Sequence, residues 1–172
     1  VCSSDLDAFG RSAFNRYYYA SFLTTRDLLL QVDRSWVKTS HANIPKILEI
    51  TLIKKVRLSV KNQISKQLIN TSRGFNLQSQ VTSAASDIAS ILKIAYDLRT
   101  IADYEPEVPV VFSTTHFELG THTNTEAKNW FTRNRKSSGS ESPLGQIYNN
   151  EICLHRNRRL DQQTTVRFGM PK

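Results

Sequence analysis

The chain has 172 residues, of which 39% are hydrophobic and 22% are charged, and these proportions are typical of one globular domain rather than of a disordered chain. The chain contains no apolar run that could span a bilayer, no secretory signal at its start and no zinc-type cysteine spacing, so we expect a cytoplasmic protein without a membrane partner, a metal or a cofactor. The net charge of +8 permits RNA binding. The positive excess is dispersed along the chain, however, with +4 over residues 1–112 and +4 over residues 113–172, as is usual for a solvated basic surface.

The first predicted element is a long amphipathic helix over residues 8–31. Its stripe of residues at helical spacing is made of Phe14, Tyr17, Tyr18, Ser21, Thr25, Leu28 and Leu29. We expect residues 1–7 to be a lead-in outside the domain, because the first six resemble a translated sequencing adaptor. In the alternative, the segment is native and Ser4 or Asp5 caps the helix.

A second helix is predicted from Ile44 to about Leu68, because Pro45 suits a first helical turn and apolar residues recur after it. The segment that follows, residues 70–79, contains Gly74 and is predicted to form a turn.

The clearest helical pattern covers residues 80–103 and is predicted to end before Pro106, since the residue before a proline avoids the helical region. Residues 106–123 are then predicted to form a linker with a β-prone stretch at 108–112. Steps of three and four residues in the helix connect Val81, Ala84, Ala85, Ile88, Ile91, Leu92, Ala95 and Leu98.

A fourth helix is predicted at 124–135, with Trp130 and Phe131 as its apolar anchor. Residues 136–172 have few apolar residues, so we expect a poorly packed or disordered tail. The four helices predict an all-α, up-and-down bundle over residues 8–135. The side chains expected in its core are Phe14, Tyr18, Leu28, Ile88, Ile91, Leu92 and Ala95.

Arg99 occupies an unusual position in the third helix. It follows Val81 by eighteen residues, which at about 100° per residue returns it to the centre of the apolar stripe. A guanidinium in such a place needs a partner, and Asp103 lies one turn later on the same face. Arg99 is therefore either half of an intrahelical pair at the bundle rim or a phosphate-binding group in a cleft.

Three short motifs follow one another along the first three predicted helices. Residues 11–22 read RSAFNRYYYASF, residues 39–41 read TSH, and residues 98–104 read LRTIADY. In order and separation, these motifs resemble a prokaryotic subfamily of HEPN proteins, with the resemblance covering residues 8–105.

This resemblance implies a helical bundle that forms a homodimer and works with RNA or a nucleotide in a toxin–antitoxin or defence system. It also implies a nucleotidyltransferase-like antitoxin as the partner protein. Many HEPN proteins are metal-independent endoribonucleases that use an Arg-x(4–6)-His motif. In that motif the histidine assists attack by a ribose 2′-hydroxyl, and the arginine holds the phosphate charge.

The chain departs from that motif. With four, five or six residues between them, the positions after Arg99 that should hold the histidine are Tyr104, Glu105 and Pro106. A tyrosine hydroxyl, with a usual pKa near 10, is a poor proton acceptor at neutral pH. Tyr104 also lies about 140° around the helix from Arg99, so the two are expected to converge only if the helix ends there. Tyr104 is then a group that stacks on a base or bonds a phosphate, or an amphipathic ring at the bundle edge.

The other candidates come from the first two helices. His41 either replaces the missing histidine or caps a helix start. Arg16 is expected to bind RNA or to pair with Asp103 or Glu105 across the bundle. Tyr17 and Tyr18 are expected mostly in the core, with Tyr19 on the far side.

We interpret the sequence as a HEPN-type module that associates with RNA or a nucleotide. A first alternative is an active metal-independent endoribonuclease that uses Arg99 with Tyr104 or His41. A second alternative is a structural helical adaptor with no role in nucleic-acid binding.

Overall fold

The fold is described here from a computed structural model, which describes residues 3–138. The tail expected at 136–172 thus lies outside the described residues from position 139 onward. The elements in chain order are helix α1 (Ser3–Val32), two 3₁₀ turns (Arg34–Lys38 and His41–Asn43), α2 (Ile44–Lys46), a π-helical segment (Ile47–Leu52), α3 (Ile53–Ser65), α4 (Thr71–Tyr104), strands β1 (Val110–Phe112), β2 (Phe117–Leu119) and β3 (His122–Thr123), and α5 (Asn124–Ser138).

The described residues form the predicted all-α bundle. Helix α1 packs along both α4 and α5, and α3 packs along α4. The apolar stripes of these helices meet in one core, as expected for amphipathic helices in a bundle. All seven predicted core side chains are buried there. None of the helices between residues 3 and 138 is long and apolar enough to cross a bilayer.

The turn predicted at residues 70–79 is wrong, because α4 begins at Thr71. Asn70 caps the helix, and its side-chain oxygen accepts a hydrogen bond from the Arg73 N–H at 2.8 Å. Gly74 is buried inside the first turns, where a Cβ would lie 2.7 Å from Ile64 Cδ1. The glycine therefore serves close packing of α4 on α3 rather than a chain reversal.

The connection after α1 is organised by the carboxylate of Asp33. It accepts a hydrogen bond from the Ser35 N–H at 2.9 Å and pairs with Lys55 Nζ of α3, also at 2.9 Å. The hydrogen bond from Lys55, followed by those from Ser35, lowers the pKa of Asp33 to about 2. This contact holds the start of the connection against α3 and thereby helps to fix the path that leads to His41.

Residues 106–123 are more ordered than the predicted linker, because they contain a three-stranded antiparallel sheet in the order β1-β2-β3. The β-prone stretch at 108–112 does contain β1. Gly120, with a φ of 60°, lies in the tight turn between β2 and β3, where glycine avoids strain. Leu119 is fully buried, so the sheet covers one end of the core.

Arg11 fastens α1 to the end of α4. Its Nε pairs with Asp7 Oδ2 at 2.6 Å, and Asp7 Oδ1 accepts the Val110 N–H at 2.8 Å. The two Nη atoms donate to carbonyl oxygens in the last turn of α4 and just after it, those of Ile101, Ala102, Glu105, Pro106 and Val108. The last turns of α4 are thus held in one position against α1.

Candidate functional site

Four of the five predicted site residues lie where α1, the turn at His41–Asn43 and the second half of α4 meet, and Arg16 is the exception. Arg99, Asp103 and Tyr104 lie in the last turns of α4, and His41 opens the turn that precedes α2. Because α1 packs along α4, it supplies the remaining side chains of the cluster.

Arg99 and Asp103 form an ion pair within α4. Arg99 Nε lies 2.8 Å from Asp103 Oδ2, in an orientation that makes an ion pair rather than a directed hydrogen bond. Asp103 Oδ1 accepts a hydrogen bond from Asn15 Nδ2 of α1 at 2.6 Å. The two side chains are 22% and 25% exposed. The predicted intrahelical pair is therefore present, and it lies at a rim that a ligand can reach.

Tyr104 lies beside Arg99 although α4 remains helical through both residues. The Arg99 guanidinium carbon is 6.0 Å from the centre of the Tyr104 ring, within the range of a cation–π contact. The long arginine side chain spans the angle between the two positions, so their approach does not require the helix to end first. Tyr104 is 68% exposed, which leaves its ring open to stacking.

His41 is fixed by two aromatic side chains of α1. Its ring stacks on the Phe22 ring, with centroids 3.7 Å apart and planes 19° from parallel. Its Nδ1 is 2.6 Å from the Tyr18 hydroxyl oxygen. Burial raises the pKa of Tyr18 to about 12, although the charge of Arg99 opposes this. The hydroxyl therefore keeps its proton at neutral pH.

The hydrogen bond to Tyr18 selects the tautomer of His41. If the Tyr18 hydroxyl donates to Nδ1, its one hydrogen is satisfied and Nε2 of the imidazole carries the other proton. In the reverse arrangement, the hydroxyl hydrogen has no acceptor among residues 3–138, and Tyr18 is only 2% exposed. An unsatisfied buried donor costs about 1–3 kcal/mol. The first tautomer is thus favoured, and His41 presents an N–H donor rather than a lone pair.

Two arginines determine the electrostatics around His41. Burial lowers its pKa, and the charges of Arg99 and Arg26 lower it further. Arg26 lies one turn after Phe22, with its guanidinium carbon 5.7 Å from that ring. Its Nε is buried without a hydrogen-bond partner in the part of the chain that the structure describes. A neutral imidazole therefore lies within the field of two cations.

Arg16 does not meet Asp103 or Glu105, so that predicted pairing is wrong. Arg16 is exposed and borders a separate shallow pocket on α1. Asn15 binds Asp103 instead, and Arg11 binds the Glu105 carbonyl. The reason is helical geometry, since positions 11 and 15 are one turn apart on the face that packs against α4.

The three consecutive tyrosines largely follow the predicted division between core and surface. Tyr18 is buried, Tyr17 is partly buried against the core, and Tyr19 is 42% exposed. Tyr19 approaches the His41 ring edge-to-face, with centroids 6.0 Å apart. It therefore belongs to the rim of the site rather than to an unrelated surface.

A cavity of about 330 Å³ opens beside His41, near the lower end of the size range typical of small-ligand pockets. Four of the lining side chains are aromatic, and Lys93 and Asp97 add charged groups. The lining consists of Tyr18, Phe22, His41, Ala42, Pro45, Leu92, Lys93, Tyr96 and Asp97.

Sequence reasoning missed Phe22, Arg26 and Asp97 as parts of this site. Phe22 and Arg26 carried a usable signal, because they continue the row of α1 that begins at Tyr18 at four-residue steps. Asp97 gave none, since it reads as an ordinary polar residue on the outside of an amphipathic helix.

No three His, Cys, Asp or Glu side chains between residues 3 and 138 converge on a point where they could hold a metal ion. Comparison of the chain with protein-family models, with curated proteins and with solved structures finds no match. The resemblance to HEPN proteins thus continues to depend on the three motifs quoted above.

Proposed function

We propose that the protein is a HEPN-type module that binds single-stranded RNA at the cluster around His41 and Arg99. The observation that carries this proposal is that Arg26 lies over the Phe22 ring on which His41 stacks, beside an aromatic cavity, while the charges of Arg26 and Arg99 both act on the imidazole. Arginine is well suited to hold phosphate oxygens, because its planar fork donates in pairs.

The unpaired N–H donors of the cluster favour an anion. Asp103 neutralises Arg99 only on its Nε side, and the Nη donors of Arg99 have no hydrogen-bond partner among residues 3–138. Arg26 forms no ion pair within the same range and has a buried, unpaired Nε. His41 adds a third donor through Nε2. A bound phosphate supplies acceptors for the accessible donors among these groups, the Nη atoms of Arg99 and Nε2 of His41.

The aromatic side chains favour a nucleotide over a simple anion. Tyr19, Tyr96 and Tyr104 are 42%, 39% and 68% exposed around the same cluster. Exposed aromatic rings beside arginine side chains are common stacking surfaces for unpaired bases. The arrangement therefore suits single-stranded RNA, whose bases are free to stack, better than a duplex.

Binding is a better fit to the geometry than cleavage. A general base needs a free lone pair, and the Tyr18 hydroxyl occupies the Nδ1 lone pair of His41. Tyr104 stands in the position of the motif histidine and is a poor base at neutral pH. We therefore propose that cleavage without metal is weak or absent, in contrast to the endoribonuclease alternative.

The motif resemblance extends the proposal to the biological setting. It supports a cytoplasmic homodimer that acts in a toxin–antitoxin or defence system with a nucleotidyltransferase-like antitoxin. An adjacent reading frame that encodes such a partner would support this setting, and copurification of the two proteins would test it directly.

The binding proposal is tested by fluorescence anisotropy with a labelled seven-nucleotide RNA at about 50 and 200 mM salt. We expect affinity to fall steeply with salt, and we expect Arg99→Lys to weaken binding several-fold at unchanged melting temperature, because Lys loses the planar fork. Arg57→Lys, the same change at an exposed position of α3, is the matched control and should bind like the unaltered protein. Absence of binding would contradict the proposal and favour the adaptor alternative.

Cleavage is tested separately by incubating the labelled RNA with the protein and a chelator. We expect little or no product, and we expect Tyr104→His to increase it by restoring the motif histidine. Rapid metal-free cleavage that survives Arg99→Ala would contradict both the site assignment and the argument from the His41 tautomer.

A further inference from the structure

We infer that the cavity beside His41 selects guanine, so that the RNA is bound with a guanine base in this pocket. This inference rests on the proposed function, since it names the base that the RNA-binding site prefers. It depends on the shape of the cavity, on its one unpaired charge and on the hydrogen-bonding edge of guanine.

The shape of the cavity suits a flat ring. Its volume is about 330 Å³, and its walls include Tyr18, Phe22, His41 and Tyr96. Tyr96 is 39% exposed and lies edge-on to Tyr18, with ring centroids 6.0 Å apart. A base seated in the cavity packs against these aromatic walls, of which Tyr96 is the most exposed.

The charged groups that line the cavity are not equivalent. Lys93 is paired with Glu49 of the π-helical segment, with 2.7 Å between Nζ and Oε1. Asp97 has no hydrogen bond or ion pair with any residue in the described range 3–138. The cavity therefore presents one available carboxylate, which accepts hydrogen bonds and donates none.

A carboxylate discriminates among the four bases by their Watson–Crick edges. Guanine presents two adjacent donors, N1–H and N2–H, which match the two oxygens of Asp97. Cytosine and adenine each offer one amino donor next to a ring-nitrogen acceptor, and uracil offers one N–H between two carbonyls. Only guanine satisfies both oxygens without placing an acceptor against the carboxylate.

The test compares heptamers of the form UUUNUUU, with N as guanosine, adenosine, cytidine, uridine or inosine, by fluorescence anisotropy. Guanosine should bind about tenfold more tightly than the other three standard bases, the size of effect typical of one bidentate base contact. Inosine lacks the N2 amino group and should fall between guanosine and the rest.

Asp97→Asn should abolish the guanosine preference while heptauridine binding is retained, because an amide offers only one acceptor. Asp87→Asn, the same change at another exposed position of α4, is the matched control and should keep the preference. Equal binding of all five heptamers, or a preference that survives Asp97→Asn, would overturn the guanine inference while RNA binding itself stands. Absence of binding to every heptamer would overturn the proposed function and this inference with it.

Discussion

Replacement of Arg11 by glutamine is expected to destabilise the bundle strongly. The side chain is 13% exposed, and its Nη atoms donate to five carbonyl oxygens at and after the end of α4. Hydrogen bonds from a charged group contribute about 1.5–3 kcal/mol each. These five share one cation, however, and four of them are 3.2–3.3 Å long. We therefore expect a total loss of about 2–4 kcal/mol in the free energy of unfolding.

The measurement is urea unfolding followed by circular dichroism. Arg16→Gln provides a matched control five positions later on the same helix, because Arg16 is exposed and has no hydrogen bond or ion pair within residues 3–138. Its effect should stay within about 0.5 kcal/mol. Equal stability losses in the two variants, or no loss for Arg11→Gln, would refute the reasoning that Arg11 ties α1 to α4.

Three further predictions concern the pH response and the packing. The lowered pKa of Asp33 stabilises the fold above the ordinary value of 3.8, and this contribution is lost as pH falls towards about 2. The difference in unfolding free energy between the unaltered protein and Asp33→Asn should therefore shrink over that range, and a constant difference would contradict this prediction. The pKa of His41 is lowered by burial and then by Arg99, so Arg99→Gln should raise it in an NMR titration, and an unchanged or lower pKa would contradict the assigned coupling. Gly10→Ala places a Cβ 2.6 Å from Val110 Cγ1, and the steric strain should outweigh a helix-propensity gain of about 1 kcal/mol. The melting temperature should therefore fall, and a higher melting temperature would contradict that close contact.

The sequence predicted the bundle because long helices leave a repeated signal. The stripe that contains Ile88, Leu92 and Ala95 extends over many turns, and each turn repeats the same information. The small sheet left no comparable signal, since strands of two or three residues are too short to show alternation. The turn predicted around Gly74 was wrong for a related reason. A glycine that permits close helix packing cannot be distinguished by its neighbouring residues from a glycine in a turn.

The site was predicted only in part, because its chemistry depends on contacts between elements. The pairing of Arg99 with Asp103 follows from their spacing within one helix. The hydrogen bond from Tyr18 to His41 joins residues 23 positions apart, and no local pattern encodes it. The choice of Asn15 over Arg16 as the partner of Asp103 depends on which face of α1 meets α4, and this is decided by packing.

The central claim is that RNA is bound at the cluster around Arg99 and His41, and NMR of the arginine side chains tests it most directly. The Nε–H signals of a ¹⁵N-labelled protein are followed while the seven-nucleotide RNA is added. Signals of Arg99 and Arg26 should shift with a common dissociation constant, while those of Arg57 and Arg73, which lie on other parts of the bundle, should stay in place. Shifts confined to Arg57 or Arg73, with Arg99 and Arg26 unaffected, would contradict the account.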